Sequence, residues 1–370
     1  MSKLRTGYTR RKNGSLQRQF TVDGKRYTVY GNTYKECEAK EKAKRDELTA
    51  GLANSDMTLD EYYDIWKNRR VGIVKPSTRR NDDSVYIHNI KDKLGSKRLR
   101  DITRNDVYKL QSYLTEKGLG TSTNNSVLVT LKSIMKSAVM DDIIIKSPCN
   151  GVKQLRRFTP EARYTIHRAL TENELSIFFE HATNSMYYNL LRFMLMTGVR
   201  AGEACALQWR DVDWENDILQ INRTIAYTNE GYIVNSPKTK TSKRNIPMNA
   251  IIREILNSQL DLCEGLGFST GKKNYVFNDR RGGFVRPCSA NNAINIALRN
   301  CAKDGKPIEK FSSHAFRDTF ATRAIEAGMR PETLQGILGH ADIGITMNLY
   351  YHLSEEKKRE EMDLISYPHK

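Results

Sequence analysis

Short runs of mixed apolar and polar residues, cut by turn dipeptides, fill the first thirty positions. Ser15 to Val22 reads as a strand, flanked by Gly7 to Lys12 and Lys25 to Tyr30. Asn13-Gly14 and Asp23-Gly24 stand at the two junctions. Such dipeptides fit two-residue hairpin turns, whose central residues need positive φ. A helix follows, because Thr33 and Glu36 form a capping box and neither Gly nor Pro interrupts the segment through Leu48. Residues 1–50 are therefore predicted to be a three-stranded antiparallel sheet with one helix, a unit too small to bury much apolar surface.

From 57 to 155 the pattern is helical throughout. Thr58-Leu59-Asp60-Glu61 is a capping box that opens a short helix through Trp66. A second helix is predicted from Ser77, just after Pro76, to Leu94 before Gly95, and Thr103-Arg104-Asn105-Asp106 opens a third that ends at Gly118. Ser122 is expected to cap a fourth, in which Val127, Leu131, Ile134, Met135 and Ala138 recur at helical spacing and mark a core. Pro148 and Asn150-Gly151 close this all-α domain, and Lys153, Arg156 and Arg157 fall in the linker.

The segment 165–370 is the largest. Thr171 and Glu174 make another capping box, and helices are predicted over 172–182, 185–196, 201–207, 249–265, 289–303, 313–327, 331–338, 343–352 and 355–365. The alternation from Ile218 to Ala226 predicts a strand that pairs with Tyr232 to Asn235 and Arg244 to Met248, and Tyr275 to Asn278 is a weaker strand. The expected fold class is multidomain: a small α+β N-terminal unit, an all-α domain, and a mostly helical domain with a small antiparallel β-sheet.

Charge changes the picture from architecture to partner. Sixty Lys/Arg against 43 Asp/Glu give the 370 residues a formal net charge of +17, and residues 1–50 carry thirteen Lys/Arg against six Asp/Glu. An excess of this size suits a polyanion. No apolar run approaches the roughly 18 residues of a spanning helix, and mean hydropathy is -0.62, so no membrane partner is expected. The basic start from Met1 to Arg11 lacks an apolar h-region, which points to the cytoplasm. Cys37, Cys149, Cys205, Cys263, Cys288 and Cys301 are scattered without a C-x-x-C pair, as expected for buried free thiols in a reducing compartment. Neither H-E-x-x-H, a Walker loop nor G-x-G-x-x-G occurs, so no metal, ATP or dinucleotide cofactor has support.

Three segments carry candidate chemistry. In Thr197-Gly198-Val199-Arg200-Ala201-Gly202-Glu203, two glycines around one arginine suggest a tight turn opening a helix. Arg200 and Glu203 are three apart and share a face, so the carboxylate can orient a guanidinium whose paired donors match a phosphate. In Ser313-His314-Ala315-Phe316-Arg317-Asp318-Thr319-Phe320, His314 and Arg317 share a face suited to clamping an oxyanion, while Phe316 and Phe320 bury the other side. The third segment is Leu338-Gly339-His340 with Tyr350-Tyr351-His352. Gly339 is expected to end a helix. Ile343 and Met347 share the helical face of Tyr350; that face is expected to pack inward, which directs Tyr350 toward the protein body, with Tyr351 turned about 100° away. Each segment alone has a plainer reading: a surface ion pair, a structural histidine or arginine, a half-buried aromatic.

Together, Arg200, His314, Arg317, His340 and Tyr350 read R…H-x-x-R…H…Y in chain order. This constellation resembles the tyrosine recombinase (phage integrase) family, with T-G-V-R-A-G-E, H-A-F-R, L-G-H and Y-Y-H all in family order, and the resemblance is strong from about Arg163 to Leu353. Residues 57–155 look like the family's helical core-DNA-binding domain. Residues 1–50 look like the arm-DNA-binding domain of conjugative-transposon and some phage integrases, which leaves 165–370 as the catalytic domain. The family also uses a lysine on a β-turn. Here Ser236 to Arg244 precedes a strand that ends at Pro247, and the family pattern P-K-T-x-x-S-x-R-x-x-P places that lysine at Lys238. Lys240 is the alternative, because the turn's register is open. One departure is Asp318, where many relatives carry a second histidine.

The resemblance implies that Tyr350 attacks a DNA phosphodiester, forming a 3′-phosphotyrosine and freeing a 5′-hydroxyl. Arg200 and Arg317 would hold the non-bridging oxygens, His314 and His340 would assist, Lys238 would protonate the leaving oxygen, and Glu203 would support Arg200. No cofactor or metal is implied. The implied partners are double-stranded DNA attachment sites and a homotetramer assembled on them, with room for an excisionase or a DNA-bending protein. Arg10, Arg11, Lys12, Lys25, Arg26, Arg79, Arg80, Lys153, Arg156, Lys240, Lys243 and Arg244 are candidate DNA contacts. The predicted helix from Ser354 to Ile365 is either a solvated charged face or a segment that docks on a neighbouring protomer. Type IB topoisomerases share the catalytic set, chromosome-dimer resolvases share the reaction, and a DNA-binding regulator could keep the fold without the chemistry. The basic N-terminal unit favours integration and excision of a mobile element.

Overall fold

Gly14 has φ +85°, the left-handed conformation its hairpin requires. On either side run β1 (Tyr8–Arg10) and β2 (Leu16–Val22), which pair antiparallel, and β3 (Lys25–Gly31) pairs antiparallel with β2. The computed structural model describes residues 6–11, 14–22, 25–50, 56–156, 168–235, 243–340, 342–350 and 362. Asn13, Asp23-Gly24 and the predicted helix 355–365, apart from residue 362, lie outside them. The chain divides into two compact units, Met1–Phe158 and Thr159–Lys370.

In the first unit, α1 (Tyr34–Ala50) covers the small sheet, and Tyr8, Leu16 and Cys37 form their joint core. The predicted cap is there in a variant form. Thr33 Oγ1 accepts from the Glu36 N–H, while the Glu36 carboxylate accepts from the N–H of Asn32. The helical part is built from α2 (Leu59–Arg69), α3 (Pro76–Val85), α4 (Arg104–Glu116) and α5 (Thr121–Met140). The predicted capping box of Thr58 with Glu61 is complete, and the predicted start at Thr103 is a capping box as well, with Asp106. Two expectations change. The second helix starts at Pro76, whose missing N–H costs nothing at a first helical position, and it runs on as a π-helical segment, Tyr86–Gly95. The fourth is capped by Gly120 instead of Ser122, which lies inside the first turn. Leu59, Tyr62, Ile90, Val107, Leu114, Leu131 and Met135 are among the residues that fill this core.

The second unit has α6 (Glu172–Ala182), α7 (Tyr188–Thr197), α8 (Ala201–Cys205), α9 (Ala250–Gly265), α10 (Pro287–Lys303), α11 (Ser313–Glu326), α12 (Pro331–Leu338) and α13 (Ile343–Tyr350). The single strand predicted from Ile218 to Ala226 is two. The chain turns at Asn222-Arg223, where Arg223 pairs with Asp211. On one side β5 (Ile218–Ile221) lies between β4 (Val212–Asp213) and β8 (Arg244–Pro247), and on the other β6 (Thr224–Thr228) pairs with β7 (Gly231–Asn235). Tyr275 and Asn278 make only isolated bridges, to Gln208 and Phe284. Phe178, Phe311 and Phe316 pack edge to face at 5.1–5.7 Å and anchor α6 against α11. All six cysteines are free. Five are buried, and Cys288 is exposed with its Sγ 3.1 Å from the Tyr232 hydroxyl. Among the described residues no helix is long and apolar enough to cross a membrane.

Candidate active site

Gly198 ends α7 with φ +62°. A Cβ there would lie 2.5 Å from Phe320 Cδ1 and 2.9 Å from Leu338 Cδ2. Glycine is thus needed both for the backbone conformation and for space, and the three motif-bearing segments meet at this point. Gly198→Ala is expected to lower the unfolding free energy by about 2–4 kcal/mol, from left-handed strain plus overpacking, and to slow DNA cleavage. Urea unfolding and single-turnover cleavage check it, and a variant of wild-type stability would contradict the packing. Gly202 has a similar reason: its Cβ would meet the Ile225 carbonyl oxygen at 2.7 Å, so α8 rests directly on β6.

Arg200 caps α8. The Glu203 carboxylate accepts from the Arg200 N–H at 3.0 Å and from its Nη1 at 3.0 Å. The same carboxylate accepts from Nη2 and Nη1 of Arg244 at 2.9 and 3.3 Å. Side-chain exposure separates the roles: 39% for Arg200, against 3% for Glu203 and 5% for Arg244. Burial alone would raise the Glu203 pKa, but the hydrogen-bonded Arg244 guanidinium, with help from Arg200, holds it below the ordinary carboxylate value. Glu203 therefore stays ionised and fixes one edge of Arg200, leaving the rest of that guanidinium open to solvent.

Arg317 is 6% exposed. Its Nη1 donates to the Gly198 carbonyl and its Nη2 to the Leu338 carbonyl, both at 2.8 Å. Burial, then the charges of Arg200 and Arg244, push its pKa down to about 9, with Glu203 and Asp318 opposing. His340 follows Gly339, which caps α12 at φ +68°. The His340 N–H donates to the Gln335 carbonyl at 3.3 Å, and Gln335 Nε2 donates to the His340 carbonyl at 3.2 Å. Burial first, then Arg317, Arg200 and Arg244, depress the His340 imidazole to about 4, so it is neutral at neutral pH. Arg200, Arg317 and His340 thus share one electrostatic site with a surplus of positive charge. Such a site suits an anion whose charge grows during reaction.

His314 is exposed on the first turn of α11, three residues before Arg317. Tyr350 is the last residue of α13. Lys238, Lys240 and Lys12 lie outside the described residues. Arg10, Arg11, Arg26, Lys153, Arg156 and Lys243 are exposed, Arg79 and Arg80 are half-buried, and Lys25 lies in β3. Arg244 requires a correction. It is no surface DNA contact, because its guanidinium is buried against Glu203 and its Nε donates to the Ile337 carbonyl. The alternation along β8 carried the signal, since Arg244 falls on the buried face with Ile246. Ile343 and Met347 are exposed, so the expected inward packing of those two residues is not met, while Thr346 on the same helix is fully buried.

The family model described as the phage integrase family matches residues 168–357, and that of the phage integrase N-terminal SAM-like domain matches 58–115. The chain is 28% identical to a protein named tyrosine recombinase XerC-like from Caldanaerobacter subterraneus subsp. tengcongensis, over 96% of this chain and 97% of that one. It is 27% identical to the transposase from transposon Tn916 of Enterococcus faecalis, over 97% and 94%. Among solved structures, the Tn1549 transposon integrase in complex with a circular intermediate DNA matches with a TM-score of 0.72 at 26% identity, covering 84% of this chain and 100% of that one. With one family model spanning just over half of its length, the chain belongs to the phage integrase family.

Proposed function

We propose that this enzyme integrates and excises a mobile element by site-specific strand exchange, with Tyr350 as the nucleophile. As a tyrosine recombinase it cleaves and rejoins DNA. The Tyr350 hydroxyl displaces the 5′-oxygen of one strand, the 3′-phosphate passes to tyrosine, and the ester conserves the bond energy for rejoining. Arg200 and Arg317 take the non-bridging oxygens. Neutral His340 and exposed His314 donate to them or assist the tyrosine proton. Lys238, or Lys240 in the other register, protonates the leaving oxygen. Glu203, ionised and buried, orients Arg200. Guanidinium and ammonium groups thereby meet the charge of the transferring phosphoryl group.

The observation that carries this reading is the placement of Arg317, whose two bonds to the carbonyls of Gly198 and Leu338 draw the Arg200 and His340 segments around one buried cation. In the same reading residues 1–50 bind arm-type sites, residues 57–155 and 165–370 hold the core site, and four protomers exchange strands through a Holliday junction. An excisionase or DNA-bending protein sets direction. The test is recombination between plasmids carrying the junctions that flank the gene. Exchange confined to those sites is expected. Relaxation of any supercoiled plasmid without site preference would instead identify a topoisomerase.

A further inference from the structure

His340 Nδ1 lies 2.9 Å from Thr346 Oγ1. Thr346 is 0% exposed, and it sits four residues before Tyr350 in α13, so positions 346 and 350 share a helical face one turn apart. A buried hydroxyl needs a partner, and a neutral imidazole offers one donor and one acceptor nitrogen. Which nitrogen bears the proton decides what His340 can do. With Nδ1 accepting from the threonine O–H, the proton sits on Nε2, which can then donate to a phosphate oxygen. With the roles reversed, Nε2 would turn a lone pair toward that oxygen and repel it. A site built around Arg200, Arg317 and Arg244 receives an anion, and an anion needs donors.

We infer that Thr346 is a positioning residue: its hydroxyl donates to His340 Nδ1, fixes the Nε2–H form for the scissile phosphate, and ties that donor to the helix carrying Tyr350. The inference rests on His340 acting on the phosphate as proposed above. Burial and the three arginines keep the ring neutral at neutral pH, the state in which the two tautomers compete. Thr346 belongs to no motif that spacing picks out, and it counts only because a buried hydroxyl stands beside the ring.

The test combines ¹⁵N-histidine spectra of the full chain with single-turnover cleavage of a nicked suicide duplex. Wild type should show His340 with its proton on Nε2. Thr346→Val keeps the shape and loses the donor. It should lose that spectroscopic signature and cleave roughly 5–100-fold more slowly at unchanged DNA affinity. Thr346→Ser should restore both. A wild-type proton on Nδ1, a Thr346→Val enzyme at wild-type rate, or a slowed one that serine does not rescue overturns the inference. His340→Ala cleaving at wild-type rate would instead overturn the role of His340 itself, whatever the tautomer.

Discussion

Arg317→Lys will slow strand cleavage by about 10²–10³-fold, the loss typical of removing one preorganised donor to a developing oxyanion, while DNA affinity stays within a few-fold. Among the described residues, two of the guanidinium's five donors are committed to the carbonyls of Gly198 and Leu338, which leaves three that can serve a phosphate. A lysine ammonium is a compact point charge, unable to span two carbonyls and reach an anion in the fork geometry. Burial disfavours the Arg317 cation and lowers its pKa, and a phosphate bound beside it would offset that cost. Lysine is a sharper probe than alanine, which would strand two buried carbonyls and confuse folding with catalysis. Single-turnover cleavage of a nicked duplex measures the effect, and a wild-type rate would remove Arg317 from the clamp.

Much of this architecture could be read from local chemistry. Thr58 with Glu61, Thr103 with Asp106 and Thr171 with Glu174 announced helix starts because a capping box is a short-range device, complete within four residues. The glycine-flanked Arg200 and the Gly339 cap before His340 were legible for the same reason. What failed was tertiary. The α-to-π change after Val85 leaves no local mark. At the break at Asn222-Arg223, Arg223 pairs with Asp211, twelve positions before it. Basic character made Arg244 look like a DNA contact, yet its partner Glu203 lies 41 residues away in sequence. On α13, apolar periodicity favoured Ile343 and Met347, which are exposed, whereas the hydroxyl-bearing Thr346 is buried beside His340. At Arg223, Arg244 and Thr346 a polar contact outside the local pattern accompanies the departure from an expectation based on hydrophobicity or charge alone.

The central claim is a metal-independent transfer of a DNA phosphate to one aromatic hydroxyl at the end of α13, and trapping the covalent intermediate tests it most directly. A suicide duplex nicked near the cleavage point loses its short fragment after attack, so the protein–DNA ester cannot be reversed and accumulates. With the wild-type chain in excess EDTA, the adduct should form, and fragment mapping of the modified peptide should place the 3′-phosphate on Tyr350 and leave Tyr351 free. Tyr350→Phe, which removes one oxygen, should give no adduct at any time point while binding the duplex normally. An adduct that survives Tyr350→Phe, maps to Tyr351, or needs a divalent ion would contradict the account.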